Sequence, residues 1–339
     1  LSGTASALQS TAGQHLEITP EYQTSTSKWL WNTVWNGPAD PIENFFFSGI
    51  DATATGGGIR VTRAADSKWD FIGVAAGEPF WRFRDVIVGT PGFGDTQGDL
   101  AGNPMDFRLH SVQGPVGGSF SLYFSNNNPV TYFRTDDGID GTDHFPKPDE
   151  HTHLNWAFTK KGLWIVNLTV QGTLNASNTP TPVSTPQPLA FAIGRHAIWK
   201  AASFTMAELQ DAAVSGDTAD PDGDGWNNLM EYALGGNPLV TSALRADDGQ
   251  ALAPRLLPPA SAGAPWRLSY FRRTAVNDSE LSYEVESSMS LGSPLWNLET
   301  GIETILSSDE VWEHVSIPLG VAQGAGSSCL FRLKVSYNP

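Results

Sequence analysis

The stretch HTHLNWAFTKKGLWIVNLTVQGTL, residues 151–174, decides the fold. Its first third alternates apolar and polar side chains, so Leu154, Trp156 and Phe158 fall on one face of an extended chain and His151, His153 and Asn155 on the other. After the break at Lys160, Lys161 and Gly162, the run from Leu163 to Val170 is rich in the branched and aromatic residues that suit a buried pleated surface. The same period of two recurs outward, in HLEI (15–18) and SFSLYF (119–124), with turn signals at GTPGFGD (89–95), NNNP (126–129) and DDGIDGTD (136–143). This spacing predicts a β-sandwich or barrel from about Gln14 to Phe191. Within it, NASNTPTPVSTPQP (175–188) reads as a long exposed loop before one more strand at LAFAIG.

Helical patterning is confined to the middle of the chain. SFTMAELQDAA (203–213) has a Ser or Thr cap, Glu208 in its first turn and a stripe of Met206, Leu209 and Ala213. WNNLMEYALGG (226–236) is closed by Gly235 and Gly236, with Pro238 beyond. After an acidic, proline-rich join (246–265) the period of two returns in WRLSYFRR, LSYEVESS, HVSIPL and LFRLKVSY. The expected architecture is therefore mostly β: an N-terminal β-sandwich (1–198), a short helical joint (199–244) and a small C-terminal β-sandwich (245–339).

Composition narrows the function. Thirty-six acidic against twenty basic residues give a net charge of −16, a field that repels phosphate backbones, so nucleic acid is not an expected partner. The single cysteine, Cys329, forbids an intramolecular disulfide or a thiolate cluster. No apolar run approaches the roughly 20 residues of a membrane span. A chain that begins at Leu1, with no charged-then-apolar leader, is what a processed, secreted protein shows. With no G-x-S-x-G elbow, H-E-x-x-H helix or phosphate loop, the expectation is a protein that is not an enzyme.

Two constellations carry chemistry. DPDGDGWNNLME (220–231) places Asp220, Asp222 and Asp224 at positions one, three and five of an EF-hand-like loop, with Gly225 at the sharp turn. The Trp226 carbonyl, Asn228 and Glu231 then take positions seven, nine and twelve. So many carboxylates in twelve residues repel one another without a cation, and Ca²⁺ is the expected one. The second constellation is polar strand faces. His151 and His153 share one, and His15 and Glu17 share another. Were the two strands adjacent, three imidazoles and a carboxylate would surround a divalent ion, Zn²⁺ or Cu²⁺ ahead of Mn²⁺; otherwise the histidines only line a polar surface. Trp29, Trp31 and Trp35 lie at even spacing on KWLWNTVW, either as a flat platform for sugar rings or as core packing.

GQHLEI, FIGVAAGEPFWRF (71–83), GSFSLYF (118–124), DDGID (136–140) and above all residues 151–174 resemble the choice-of-anchor M domain, a surface-anchored bacterial β-domain, from about Leu16 to Gly194. The resemblance departs at the first pair, which tends to be His-x-Asp in that family and is His15 and Glu17 here, with Gln14 intruding after Gly13. It implies a secreted or cell-surface protein that works alongside metal-type ABC transporters or other surface components. The acidic loop with ALGGNPL after it looks dockerin-like, and the C-terminal strands resemble the tails of large secreted bacterial proteins.

Overall fold

A computed structural model describes residues 8–10, 16–34, 40–49, 58–84, 91–94, 98–100, 105–148, 150–276, 278–290, 292, 294–320 and 329–338. The fold is mostly β, and packing divides it into two compact units, 1–210 and 211–339. The helical stretch is shared between them. Arg195–Ser203 and Met206–Leu209 fall in the first unit, Ala212–Ser215 and Asn228–Leu234 in the second.

In the first unit a six-stranded sheet runs in the order Gln9–Ser10, Phe45–Gly49, Gln187–Ile193, Gly162–Gln171, Met105–Gln113, His144–Lys147. Two five-stranded sheets contribute to the same core. One is ordered Val130–Arg134, Phe120–Phe124, Asn155–Phe158, Pro79–Phe83, Ile59–Thr62; the other Thr152–His153, Pro91–Phe93, Leu16–Gln23, Lys28–Val34, Asp40–Pro41. The strand alternation read from the sequence fixes which rings meet. Leu154, Trp156 and Phe158 are buried to 1% exposure or less, and Trp156 and Phe158 reach Phe191 of the six-stranded sheet at 5.1 and 4.8 Å between ring centroids. The opposite face of that strand is covered too. Asn155 is 1% exposed, and Ala157 packs with Phe71, Ile72, Phe80 and Tyr123 in a smaller cluster.

Three local expectations change. GTPGFGD is not only a turn, because Pro91–Phe93 is a strand paired on both sides. The 175–188 loop is not simply exposed. Thr181 and Ser184 are buried, Ser184 Oγ accepts from the Val170 amide at 3.0 Å, and the Pro182 carbonyl accepts from the Trp29 indole at 2.8 Å. The capping box at Thr205 and Glu208 forms, yet the helix it starts is a single turn. Helix Arg195–Ser203, which opens on Gly194 with no side-chain cap, gave no start signal to read.

The second unit is a small sandwich. A four-stranded sheet (Arg255–Leu257, Arg267–Arg273, Trp312–Pro318, Thr304–Ser308) and a three-stranded one (Asn297–Leu298, Leu281–Ser288, Leu330–Tyr337) enclose Leu268, Tyr270, Val285, Val315, Ile317 and Leu319. Helix Asn228–Leu234 is bound to this sandwich. The Tyr232 hydroxyl donates to Asp278, the Tyr283 hydroxyl to the Ala233 carbonyl at 2.9 Å, and Arg273 Nε to the Tyr232 carbonyl at 2.8 Å. Among the described residues no helix is long and apolar enough to cross a membrane.

Candidate metal centres

The histidine strand and the glutamate strand are not neighbours; one short strand separates them. Glu17 pairs in register with Gly92, and Gly92 on its other side with His153, so the three form one row across the sheet. The middle strand is fixed from within. Phe93 is fully buried against Phe107 (4.9 Å) and stacked on Trp156 (5.7 Å), while the Trp156 indole donates to the Pro91 carbonyl at 3.2 Å. On the outer face glycine leaves the space the ligands occupy. A Cβ at Gly92 would lie 2.8 Å from His153 Cε1, and one at Gly94 would lie 2.5 Å from Thr19 Oγ1 and 3.0 Å from Glu17 Oε2. Glycine within a strand commonly marks such a close approach. These two residues are the part of the site that sequence reasoning missed. Their signal was a Gly-Phe-Gly spacing that sets both glycines on one face, and it was absorbed into a turn.

His151 sits one step before the strand. The buried Lys147 ammonium donates to the carbonyls of Pro148 and Glu150, both at 2.8 Å, which pins the approach to it. His151 Nε2 lies 2.7 Å from Glu17 Oε1, and the two imidazoles are edge to face at 4.4 Å between centroids. One ligating atom from each of Glu17, His151 and His153 lies within 4.8 Å of the other two. A tetrahedral ion with bonds near 2.0–2.1 Å holds its ligand atoms about 3.4 Å apart, so small side-chain rotations would gather these three around one ion. His15 lies outside the described residues, immediately before the strand that begins at Leu16.

Among the described residues, Trp29 and Trp31 do not form an exposed platform. Trp31 is 7% exposed in the core, edge-on to Phe107, and Trp29 packs on that core with its indole N–H bound to the Pro182 carbonyl. Even spacing on a strand selected the inward face. Trp35 lies outside the described residues.

The acidic loop is a local construction of the second unit. Asp220 accepts from the amides of Gly223 (2.9 Å) and Gly225 (3.0 Å), Asp222 from Asp224, and Asp224 from Trp226 (2.8 Å) and Ser242 (3.1 Å). Gly223 and Gly225 take φ of +74° and +95°, the left-handed turn that the loop requires. Ligating atoms of Asp220, Asp222 and Asp224 converge within 4.8 Å. Glu231 enters from helix Asn228–Leu234. It is 1% exposed, and its Oε2 has no hydrogen-bond partner among the described residues. Burial, together with Asp222, Asp224 and Asp220, pushes its carboxyl up to about 8. Gly236 makes room for it, since a Cβ there would meet Glu231 Cβ, Cγ and Oε1 at 3.0 Å. A buried carboxylate that has no partner among the described residues and faces three others has the oxygen chemistry that could suit a hard cation. Asn228 Oδ1 is buried with no hydrogen-bond partner among the described residues. Its amide nitrogen donates to the carbonyls of Val214 and Gly216 at 2.8 and 2.7 Å, tying the helix to the segment before the loop. No protein-family model matches the chain, and no curated protein matches it either.

Proposed function

We propose that the first unit is a non-catalytic binding module for a late first-row divalent ion, Zn²⁺ or Cu²⁺ ahead of Mn²⁺, held by Glu17, His151 and His153 with His15 as the fourth ligand. The second unit would carry a structural Ca²⁺ held by Asp220, Asp222, Asp224 and Glu231, with the Trp226 carbonyl and Asn228, directly or through water, completing the shell. One observation carries the first reading. In the row of Glu17, Gly92 and His153 a bare strand position lets a carboxylate and two imidazoles from distant segments converge. Imidazole with one carboxylate suits these ions, whereas Ca²⁺ takes oxygen ligands. In this reading the chain is a secreted or surface-displayed bacterial protein that handles metal beside a metal-type transporter or other surface components.

A second reading, an adhesive or structural surface protein, draws on the same geometry. A carboxylate and an imidazole at 2.7 Å satisfy each other without an ion. Calorimetric titration of the calcium-loaded chain with Zn²⁺ separates the two. The metal reading expects one equivalent bound, lost in the His151→Ala, His153→Ala double variant with the melting temperature of the apo protein retained. An unchanged isotherm in the double variant favours the structural reading.

A further inference from the structure

The sheet that holds Asn155–Phe158 has an outer face that the metal reading does not use. Phe83, Trp156, Phe158, Phe120 and Leu122 point into the core, so the alternate residues Phe80, Arg82, Asn155, Ala157, Ser121 and Tyr123 form the other face. The 3₁₀ turn Ser67–Ile72 folds back over it. It is held there by Arg63, which donates from Nε to the Trp69 carbonyl at 3.1 Å and pairs with Asp70. Between turn and sheet lies a cavity of about 320 Å³ lined by Val61, Trp69, Ile72, Phe80, Tyr123 and Arg82 among others. That is the lower end of the volumes that small-molecule sites occupy.

Arg82 is the lining residue with an unsatisfied polar atom, and two neighbours on the same sheet face, Ser121 and Asn155, share that lack without lining the cavity. Ala157 pairs in register with Arg82 on one side and Ser121 on the other, and Asn155 pairs with Tyr123. Ser121 Oγ, Asn155 Oδ1 and Arg82 Nε are all buried, and none has a hydrogen-bond partner among the described residues. Ser121 and Asn155 are exposed by 0% and 1%. Arg82 also has no carboxylate partner there, although the chain carries a net charge of −16. Folded proteins satisfy nearly all such atoms, and water can serve the hydroxyl and the amide. A guanidinium is different, because it stays charged and its fork matches a carboxylate. The walls around it are mostly apolar or aromatic, with Thr62 and the Asp70-paired Arg63 beside Val61, Ala64, Trp69, Ile72, Phe80 and Tyr123.

We propose that this cavity binds a small organic carboxylate with a flat aryl body, the carboxylate on Arg82 and the ring among Trp69, Phe80 and Tyr123. The site is separate from the histidine row. It is tested in the His151→Ala, His153→Ala background with Ca²⁺ present, so that a carboxylate bound to a transition metal is excluded and failure of the metal reading does not affect the result. The probes are phenylacetate, its neutral isostere phenylacetamide and the cation phenethylamine, followed by saturation-transfer NMR on the full chain. Phenylacetate should bind at least about tenfold more tightly than the amide, with the amine weakest. Arg82→Met should bring the acid down to the level of the amide, Arg82→Lys should restore part of the preference, and Trp69→Ala should weaken acid and amide together. Equal binding of acid and amide, an undiminished preference in a folded Arg82→Met variant, or no transfer to any probe up to about 10 mM would overturn the proposal. The last result would leave the cavity to water.

Discussion

The acidic loop and the histidine row are both clusters of side chains that could hold a metal ion, but they are assembled on opposite principles. The loop takes all its carboxylates from twelve consecutive residues, and its geometry comes from two left-handed glycines and from amides bound to Asp220 and Asp224. The row takes Glu17, Gly92 and His153 from three strands far apart in the chain, and its geometry comes from the packing of Phe93 and Trp156 beneath it. A contiguous site can be disrupted without touching the core and reports its ion mainly as stability. A site built on sheet register depends on the core, and its ion can be removed with little change in the fold.

The largest effect expected from this contrast is on the loop. Chelation should lower the melting temperature of the second unit, since a ligand held only by the folded state at a hundred times its dissociation constant contributes about 2.7 kcal/mol. Asp222→Ala should reproduce that loss and be insensitive to added Ca²⁺, as scanning calorimetry can check. The same treatment should leave the melting of the first unit in place. A uniform loss across both units would break the comparison.

Next in size is the buried carboxyl of the loop. In calcium-free protein the Glu231 carboxyl titrates at about 8 against an ordinary 4.5. Between those values the unfolded chain has released the proton and the folded one has kept it, so stability falls as pH rises through the window. Bound Ca²⁺ holds the carboxylate ionised and should abolish the slope, and Glu231→Gln should abolish it without Ca²⁺. Melting temperatures between pH 5 and pH 8, with and without chelator, test both arms.

The row should respond to a single methyl group. Gly92→Ala sets a Cβ 2.8 Å from His153 Cε1, and Zn²⁺ affinity should fall by about tenfold or more, as when the support of a ligating histidine is lost. Far-UV circular dichroism should stay the same. Unchanged affinity would mean that His153 is not a ligand.

What the sequence made legible follows the same division. Period two placed Leu154, Trp156 and Phe158 in the core correctly, because a buried strand face is written into adjacent residues. The acidic loop and the close of its helix at Gly235 were legible for the same reason. The row was only half legible. Alternation put Glu17, His151 and His153 on polar faces, but nothing local states which strands adjoin, and the strand between them was hidden in a glycine-rich segment that reads as a turn. Even spacing of Trp29 and Trp31 marked a face without saying which way it points.

The smallest effect belongs to His314, stacked on Phe271 at 4.4 Å, where burial and the charges of Arg255 and Arg245 hold its imidazole below the ordinary 6.5. The unfolded chain takes up this proton first as pH falls below 6.5, so stability of the second unit should decline slightly there. His314→Gln should flatten that decline in melting curves and leave the row unaffected.

The most direct measurement is X-ray absorption at the zinc edge of the calcium-loaded chain carrying one equivalent of Zn²⁺. The account predicts a shell with imidazole scattering and one carboxylate oxygen at about 2.0–2.1 Å, replaced by another environment in the His151→Ala, His153→Ala variant. An oxygen-only shell, or one identical in the double variant, would contradict it.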